Sequence, residues 1–254
     1  VSLTDGGAGH QTLRRPELVE RRRTETEAAG RIIGTKYLVL DERDGELMPT
    51  LEARQKLIRL IRQSQPDLII THRPVDYHPD HRYTAQLVQD AAYLVTVPAI
   101  CPETPHLNRD PVILYMSDWF KKPCPFQADV VVDIEPELHL LTSMLDCHES
   151  QVYEWLPFNM GILDSVPGDH EERKQWLDRR IRERIAPLAD RFRDLLVKTY
   201  GEPGNRIRYI EAFEVSEFGA PLDHAARSRL FPFLPNSPAP VDKPTSDWVD
   251  IRTD

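Results

Sequence analysis

The chain has 254 residues, room for one large domain, and 32 Lys+Arg against 41 Asp+Glu leave it a net charge of -9. That balance excludes a protein that grips nucleic acid by sequence-independent charge, which needs a basic footprint. No apolar run approaches the roughly 20 residues of a membrane-spanning helix, and no signal-peptide pattern opens the sequence. Three cysteines, Cys101, Cys124 and Cys147, lack ligand-like spacing and read as free thiols in a reducing, cytoplasmic compartment. The first residue is Val, and VSLTD reads as an apolar strand that begins at once.

After that strand comes Gly6-Gly7-Ala8-Gly9, a loop able to pass close to a ligand. Pro16 stands where a first helical residue belongs, and residues 17–33 read as a helix closed by Gly34. Residues 36–40 form a short apolar run, followed by a turn at Asp44-Gly45. A helix over 51–62 carries Leu57, Ile58 and Ile61 at helical spacing and ends before Pro66. Residues 68–70, 112–116 and 130–132 read as strands, and 207–215 as a further one. Short apolar strands alternating with amphipathic helices predict βαβ units in a doubly wound α/β domain. Six prolines between Pro98 and Pro125 predict a long stiff loop at the site mouth, the expected source of specificity. Residues 1–234 make one domain. Residues 235–254 read as a proline-rich tail that could cross to a partner chain in a homo-oligomer.

The most informative segment is THRPVDYHPDHRYTAQLVQD, residues 71–90. Three of the nine histidines, His72, His78 and His81, fall within ten residues, just past an apolar strand. The crevice beyond strand carboxyl ends is where open α/β sheets bind ligands. The next helix starts at Pro79, with Thr84, Leu87, Val88, Ala91 and Val95 as its buried stripe. His78, Asp80 and His81 therefore sit on a first helical turn, whose positive dipole disfavours imidazolium and keeps His81 able to ligate a metal. Asp80 is placed to hold a histidine ring, or is merely a helix-start residue.

HPDH at 78–81, preceded by DLIITHRPVDY, resembles the second motif of the PIG-L/LmbE-like zinc-dependent N-deacetylases. VSLTDGGAG resembles that family's second strand and loop, and Arg22 and Glu25 in RRRTETEAAGRIIG its Arg-x-x-Glu helix. DGEL at 44–47, PVILYMSD at 111–118 and CHESQ at 147–151 fit further family segments in order. EAFEVSEFG and LFPFL resemble the ending of a longer branch. The resemblance runs from Val1 to Leu234.

It implies a Rossmann-like, mostly parallel sheet with helices on both faces, and a zinc ion held by two histidines and an aspartate. His81 is the ligand it assigns. His78 would stabilise the oxyanion and Asp80 would orient or charge-tune that histidine. Arg22, Asp44 and His148 resemble positions near the sugar pocket, with a solvated face for Arg22 and a packing role for His148 as the alternatives. His72 is expected to support the site rather than to ligate, and His10 to be a surface loop residue. The implied reaction is hydrolysis of an N-acetyl group on an amino sugar in a glycoconjugate, glycolipid or sugar-linked small molecule. The family's other motif, His-Pro-Asp-Asp, which supplies two ligands and the general base, occurs nowhere in these 254 residues. The resemblance places it upstream of Val1. A missing segment, a natural truncation and a replacement by Asp5 or His10 all stand as explanations. The alternative function is a catalytically inactive carbohydrate- or nucleotide-binding relative. A dinucleotide enzyme fits less well, because GGAG lacks the G-x-G-x-x-G spacing.

Overall fold

A computed structural model describes residues 1–235, so the predicted tail lies almost entirely outside the described residues. Strand β1 (Ser2–Thr4) leads through the glycine loop to α1 (Arg15–Ile32), which has Pro16 in its first turn, and then to β2 (Val39–Glu42). Helix α2 (Leu51–Ser64) is capped by the Thr50 side chain, which accepts from the Ala53 N–H. It closes on Gln65 in the left-handed conformation, one residue before Pro66. Next come β3 (Leu68–Thr71), α3 (Pro79–Ala92), β4 (Val112–Met116) and β5 (Val130–Asp133). Then follow α4 (Leu138–Asp146), a π-helical turn (Ser150–Trp155), α5 (Leu156–Asn159), α6 (His170–Arg191) and α7 (Arg193–Tyr200). Strand β6 (Ile210–Val215) and α8 (His224–Leu230) complete the described chain.

The α/β class stands, and the sheets are partly parallel. β1 pairs with β2, and β3 with β4, both parallel. The expectation of a mostly parallel sheet needs correction at β6. That strand enters between β4 and β5 and runs antiparallel to both, giving the order β3-β4-β6-β5. It arrives from a long helical excursion rather than through a βαβ crossover, so no right-handed crossover fixes its direction. Strand β4 also divides the proline-rich stretch: residues 98–111 and 117–125 are two loops flanking a buried strand.

Both faces of the sheet are covered. Ile113 of β4 packs with Leu57, Ile58 and Ile61 of α2 and Leu87, Val88 and Ala91 of α3. Its neighbours Val112 and Leu114 point to the other face, with Val130, Phe213 and Phe231. Complete burial of a side chain such as Leu87 is worth about 1.5–3 kcal/mol. The predicted α3 stripe is confirmed at Leu87, Val88 and Ala91, and Val95 is buried just beyond the helix. Thr84 is half-buried and Ala85 takes the inner position.

One buried charge holds this core to the loop beyond α3. Arg62, 2% exposed, donates through all three guanidinium nitrogens to the carbonyls of Leu94, Val95, Val97, Ile100, Cys101 and Thr104. No described helix is long and apolar enough to cross a membrane, and the three cysteines are unpaired.

Candidate metal and hydrolytic site

The corner between β3 and α3 is built by local hydrogen bonds. His78 is the N-cap of α3, its Nδ1 accepting the Asp80 N–H at 3.2 Å, and Pro79 supplies the first helical residue. Asp76 Oδ1 accepts the His78 N–H at 2.8 Å, and Arg82 donates to the carbonyls of Asp76 and Tyr77. Because Nδ1 of His78 is an acceptor, the neutral ring carries its proton on Nε2. His78 is thus a hydrogen-bond donor at the very start of a helix.

Ligand atoms of His72, Asp76 and His81 lie within 4.8 Å of one another, two imidazoles and a carboxylate. His81 Nδ1 is buried and has no hydrogen-bond partner, although Asp76 Oδ1 is 3.1 Å away. Two donors on one tetrahedral zinc, each about 2.0–2.1 Å from the metal, stand about 3.3 Å apart. The Asp76–His81 pair fits that spacing. Burial, reinforced by His81, lowers the pKa of His72 to about 4 and keeps its ring neutral. Yet His72 stacks face to face on His81, centroids 4.1 Å apart and planes 3° from parallel. Imidazole lone pairs lie in the ring plane, so two stacked rings do not converge on one ion. As it stands His72 braces His81, in line with the expected supporting role, and it would join a metal only after its ring turned.

Asp44, His78 and Asp80 form a second group of the same compactness. Here the tautomer decides the chemistry: with Nδ1 occupied and Nε2 protonated, His78 offers a donor rather than a ligand. Asp80 is 5% exposed. Its Oδ2 accepts the Gly45 N–H at 2.7 Å, while its Oδ1 is buried without a partner. The expectation that the Asp80 carboxylate orients His78 is therefore corrected. Asp80 positions that ring through its backbone N–H, and its carboxylate fastens the Asp44-Gly45 turn to the helix start. Gly45 has φ +84°, a conformation that other residues rarely adopt.

Neither proposed replacement ligand reaches the histidines. Asp5 is committed to the Gly7 and Asp44 N–H groups and to Arg15. His10 accepts from the Thr12 and Leu13 N–H groups and faces Glu154 at 2.7 Å. Its side chain is 2% exposed, so it is a buried brace rather than a surface residue.

Asp44 Oδ2 accepts the Ala8 N–H, which ties the glycine loop to the corner. Arg22 lies beneath that loop and donates to Gly9 O at 2.9 Å, with a buried Nε that has no partner. Burial pulls its guanidinium below the usual arginine value, against the opposing pull of Glu25 and Asp44. Arg22 is therefore not a solvated helix face. His148 is near enough to feel both Arg22 and Glu25, and burial lowers its pKa first. Glu25 itself accepts from the Ser150 N–H and Oγ, joining α1 to the π-helical turn. Glu154 on that turn receives Arg21 and His10, and a Cβ on Gly9 would stand only 3.1 Å from the Trp155 indole nitrogen. π-helical turns of this kind recur at functional sites.

A cleft of about 660 Å³ opens beside the histidines, lined by His72, Asp76, Tyr77 and His81 and by residues of β4, β6, α4, α6 and the loop after β4. Asp76 and the Glu25–Ser150 link escaped the sequence reading. Asp76 stood between two histidines in a window already singled out, whereas a contact across 125 residues leaves no local pattern.

Residues 1–92 match the family model described as PIG-L: GlcNAc-PI de-N-acetylase. Among solved structures, the chain is similar to N,N'-diacetylchitobiose deacetylase from Pyrococcus horikoshii, with 23% identity and a TM-score of 0.58 over 85% of this chain and 71% of that one. It is similar to GalB, the 4-carboxy-2-hydroxymuconate hydratase of Pseudomonas putida, at 18% identity and TM-score 0.60 over 84% and 81% of the two chains. It also resembles a conserved protein from Thermus thermophilus, at 20% identity and TM-score 0.52 over 84% and 78%. These likenesses, all under 25% identical, establish the fold, and the family match covers residues 1–92.

Proposed function

We propose that this protein is a zinc-dependent hydrolase that removes an N-acetyl group from an amino sugar borne by a glycoconjugate, glycolipid or sugar-linked small molecule. The observation that carries this reading is the β3–α3 corner. There the unpartnered His81 nitrogen and Asp76 stand at metal-donor spacing beside a donor imidazole, His78, within the segment that matches the PIG-L model. The fold alone does not choose the chemistry, since it is shared with proteins described as a deacetylase and as a hydratase.

His81 and Asp76 would hold zinc, with His72 as the neutral ring against which His81 is set. Zinc supplies Lewis-acid polarisation of the amide carbonyl and of an attacking water. His78 Nε2–H donates to the amide oxygen as that atom gains charge, a role strengthened by the helix start beneath it. Asp80 keeps His78 in its donor tautomer through the N–H it presents to Nδ1. Arg22, with Asp44 and His148 near it, would contact the sugar from beneath the glycine loop, apart from the cleft that His81 lines.

A second reading, a carbohydrate- or nucleotide-binding protein without turnover, rests on the stacked His72–His81 rings, which leave the corner with two donors, His81 and Asp76, at metal spacing. Acetate release from a methyl N-acetylglucosaminide separates the two. Release that stops with a chelator and returns with zinc is the expected result. Saturable sugar binding with no acetate formed would overturn the hydrolase in favour of the binder.

A further inference from the structure

We propose that Trp119 and Tyr77 form an aromatic grip for an apolar group linked to the sugar, so that the preferred substrate is an N-acetyl amino sugar with an apolar aglycone. The inference rests on the hydrolase reading for the position of the sugar, and on the cleft for what lies next to it. Trp119 is 59% exposed and Tyr77 76%, whereas Trp155 and Trp176 are half-buried in packing contacts. Both exposed rings line the cleft that holds His72, Asp76 and His81.

Neither ring dangles. Arg191 lies over the Trp119 indole, 5.0 Å from its centre, and is itself anchored on the carbonyls of Asp118 and Phe126 at 2.6 and 3.1 Å. The Asp118 side chain accepts the Phe120 N–H and pairs with the buried Arg73, which fixes the turn that carries Trp119. Tyr77 stands edge-on to His78 and His81, with ring centres 5.9 and 5.8 Å away. Rigid aromatics presented at the mouth of a cleft lose little entropy on binding and offer large flat apolar area.

Beyond these rings the cleft does not end at the histidines. It continues between Ile70 and Met116 on the strands and Leu141, Leu145 and Ile181 on α4 and α6. Ile70 and Met116 remain 45% and 38% exposed there. A substrate whose acetamide sits at His81 would leave that wall uncovered unless its other end were apolar. Besides the histidine corner, the cleft offers a second sugar ring the polar groups of Ser117, Asp118, Arg184 and Glu211, of which Asp118 is already paired with Arg73.

Three glycosides of the same N-acetylated sugar test this: methyl, phenyl, and a disaccharide with a second N-acetylglucosamine. Steady-state acetate release is read beside calorimetric binding to the His81→Ala protein, so binding is measured without turnover. The expected result is a kcat/KM for the phenyl glycoside about tenfold above the methyl one, carried by KM at equal kcat. Trp119→Ala abolishes the preference, and Trp119→Phe retains it, which shows that a ring and not the fold is being read. Equal values for phenyl and methyl, a preference for the disaccharide, or a preference that survives Trp119→Ala would each overturn the grip. Phenyl-selective binding lost in Trp119→Ala, with no acetate formed from any glycoside, would retire the hydrolase and leave the grip standing.

Discussion

Two buried polar regions of this molecule are handled in opposite ways. Around the buried Arg62 every nitrogen of a guanidinium meets backbone carbonyls, six in all. Around the β3–α3 corner, His81 Nδ1, Asp80 Oδ1 and Arg22 Nε are buried and unpartnered. A buried polar atom without a partner costs about 1–3 kcal/mol, and of these three residues His81 is the one that lines the cleft. Unpartnered buried atoms also occur elsewhere among the described residues, at Arg173 Nε and Thr199 Oγ1, so it is their grouping with potential metal donors that sets the corner apart.

The comparison predicts a ranking of stabilities. Arg62→Ala removes the guanidinium's hydrogen bonds to six carbonyls, four of which keep a backbone N–H donor, and should lower the unfolding free energy by at least about 3 kcal/mol, or prevent folding. Urea denaturation measures it, and a loss below about 1 kcal/mol would break the structural half of the comparison. Glu25→Ala removes both acceptors of Ser150 and should cost about 1–3 kcal/mol on the same assay. Glu25→Gln, which keeps an acceptor oxygen, should cost less.

His148 gives a pH-dependent term of smaller size. Its imidazole is harder to protonate in the fold than in the open chain, so the unfolded state binds the proton first. Stability should therefore fall as the pH drops below the ordinary histidine value of about 6.5. His148→Gln should flatten that part of the curve, and an unchanged curve would sink the assignment. Arg22→Met removes the hydrogen bond to Gly9 O and should cost about 0.5–1.5 kcal/mol on the same assay. It should also raise KM several-fold for any N-acetylated sugar, which kinetics reads directly.

Much of the fold was legible because its determinants are local. Pro79 announced the start of α3, Pro66 the end of α2, and apolar runs located β3, β4 and β5. The antiparallel direction of β6 was not legible, since Ile210–Val215 carries the same apolar signal whichever way it runs. At the site, HPDH drew attention to the right turn, but roles within it depend on hydrogen bonds that spacing does not show. The Asp80 carboxylate turns to Gly45, 35 residues away, and the His78 ring turns to the Asp80 N–H. Asp76 was passed over between better-known neighbours. Arg22, lying in the run ERRR, gave no sign that it alone of the three arginines lies beneath the glycine loop.

Zinc titration of the metal-free protein followed by calorimetry, set beside His81→Ala and His78→Gln, tests the central claim most directly. The wild type and His78→Gln should bind one zinc with similar affinity, and His81→Ala should bind at least about tenfold more weakly while keeping its unfolding midpoint. Equal zinc affinity in the wild type and in His81→Ala would contradict the assignment of the corner as the metal centre.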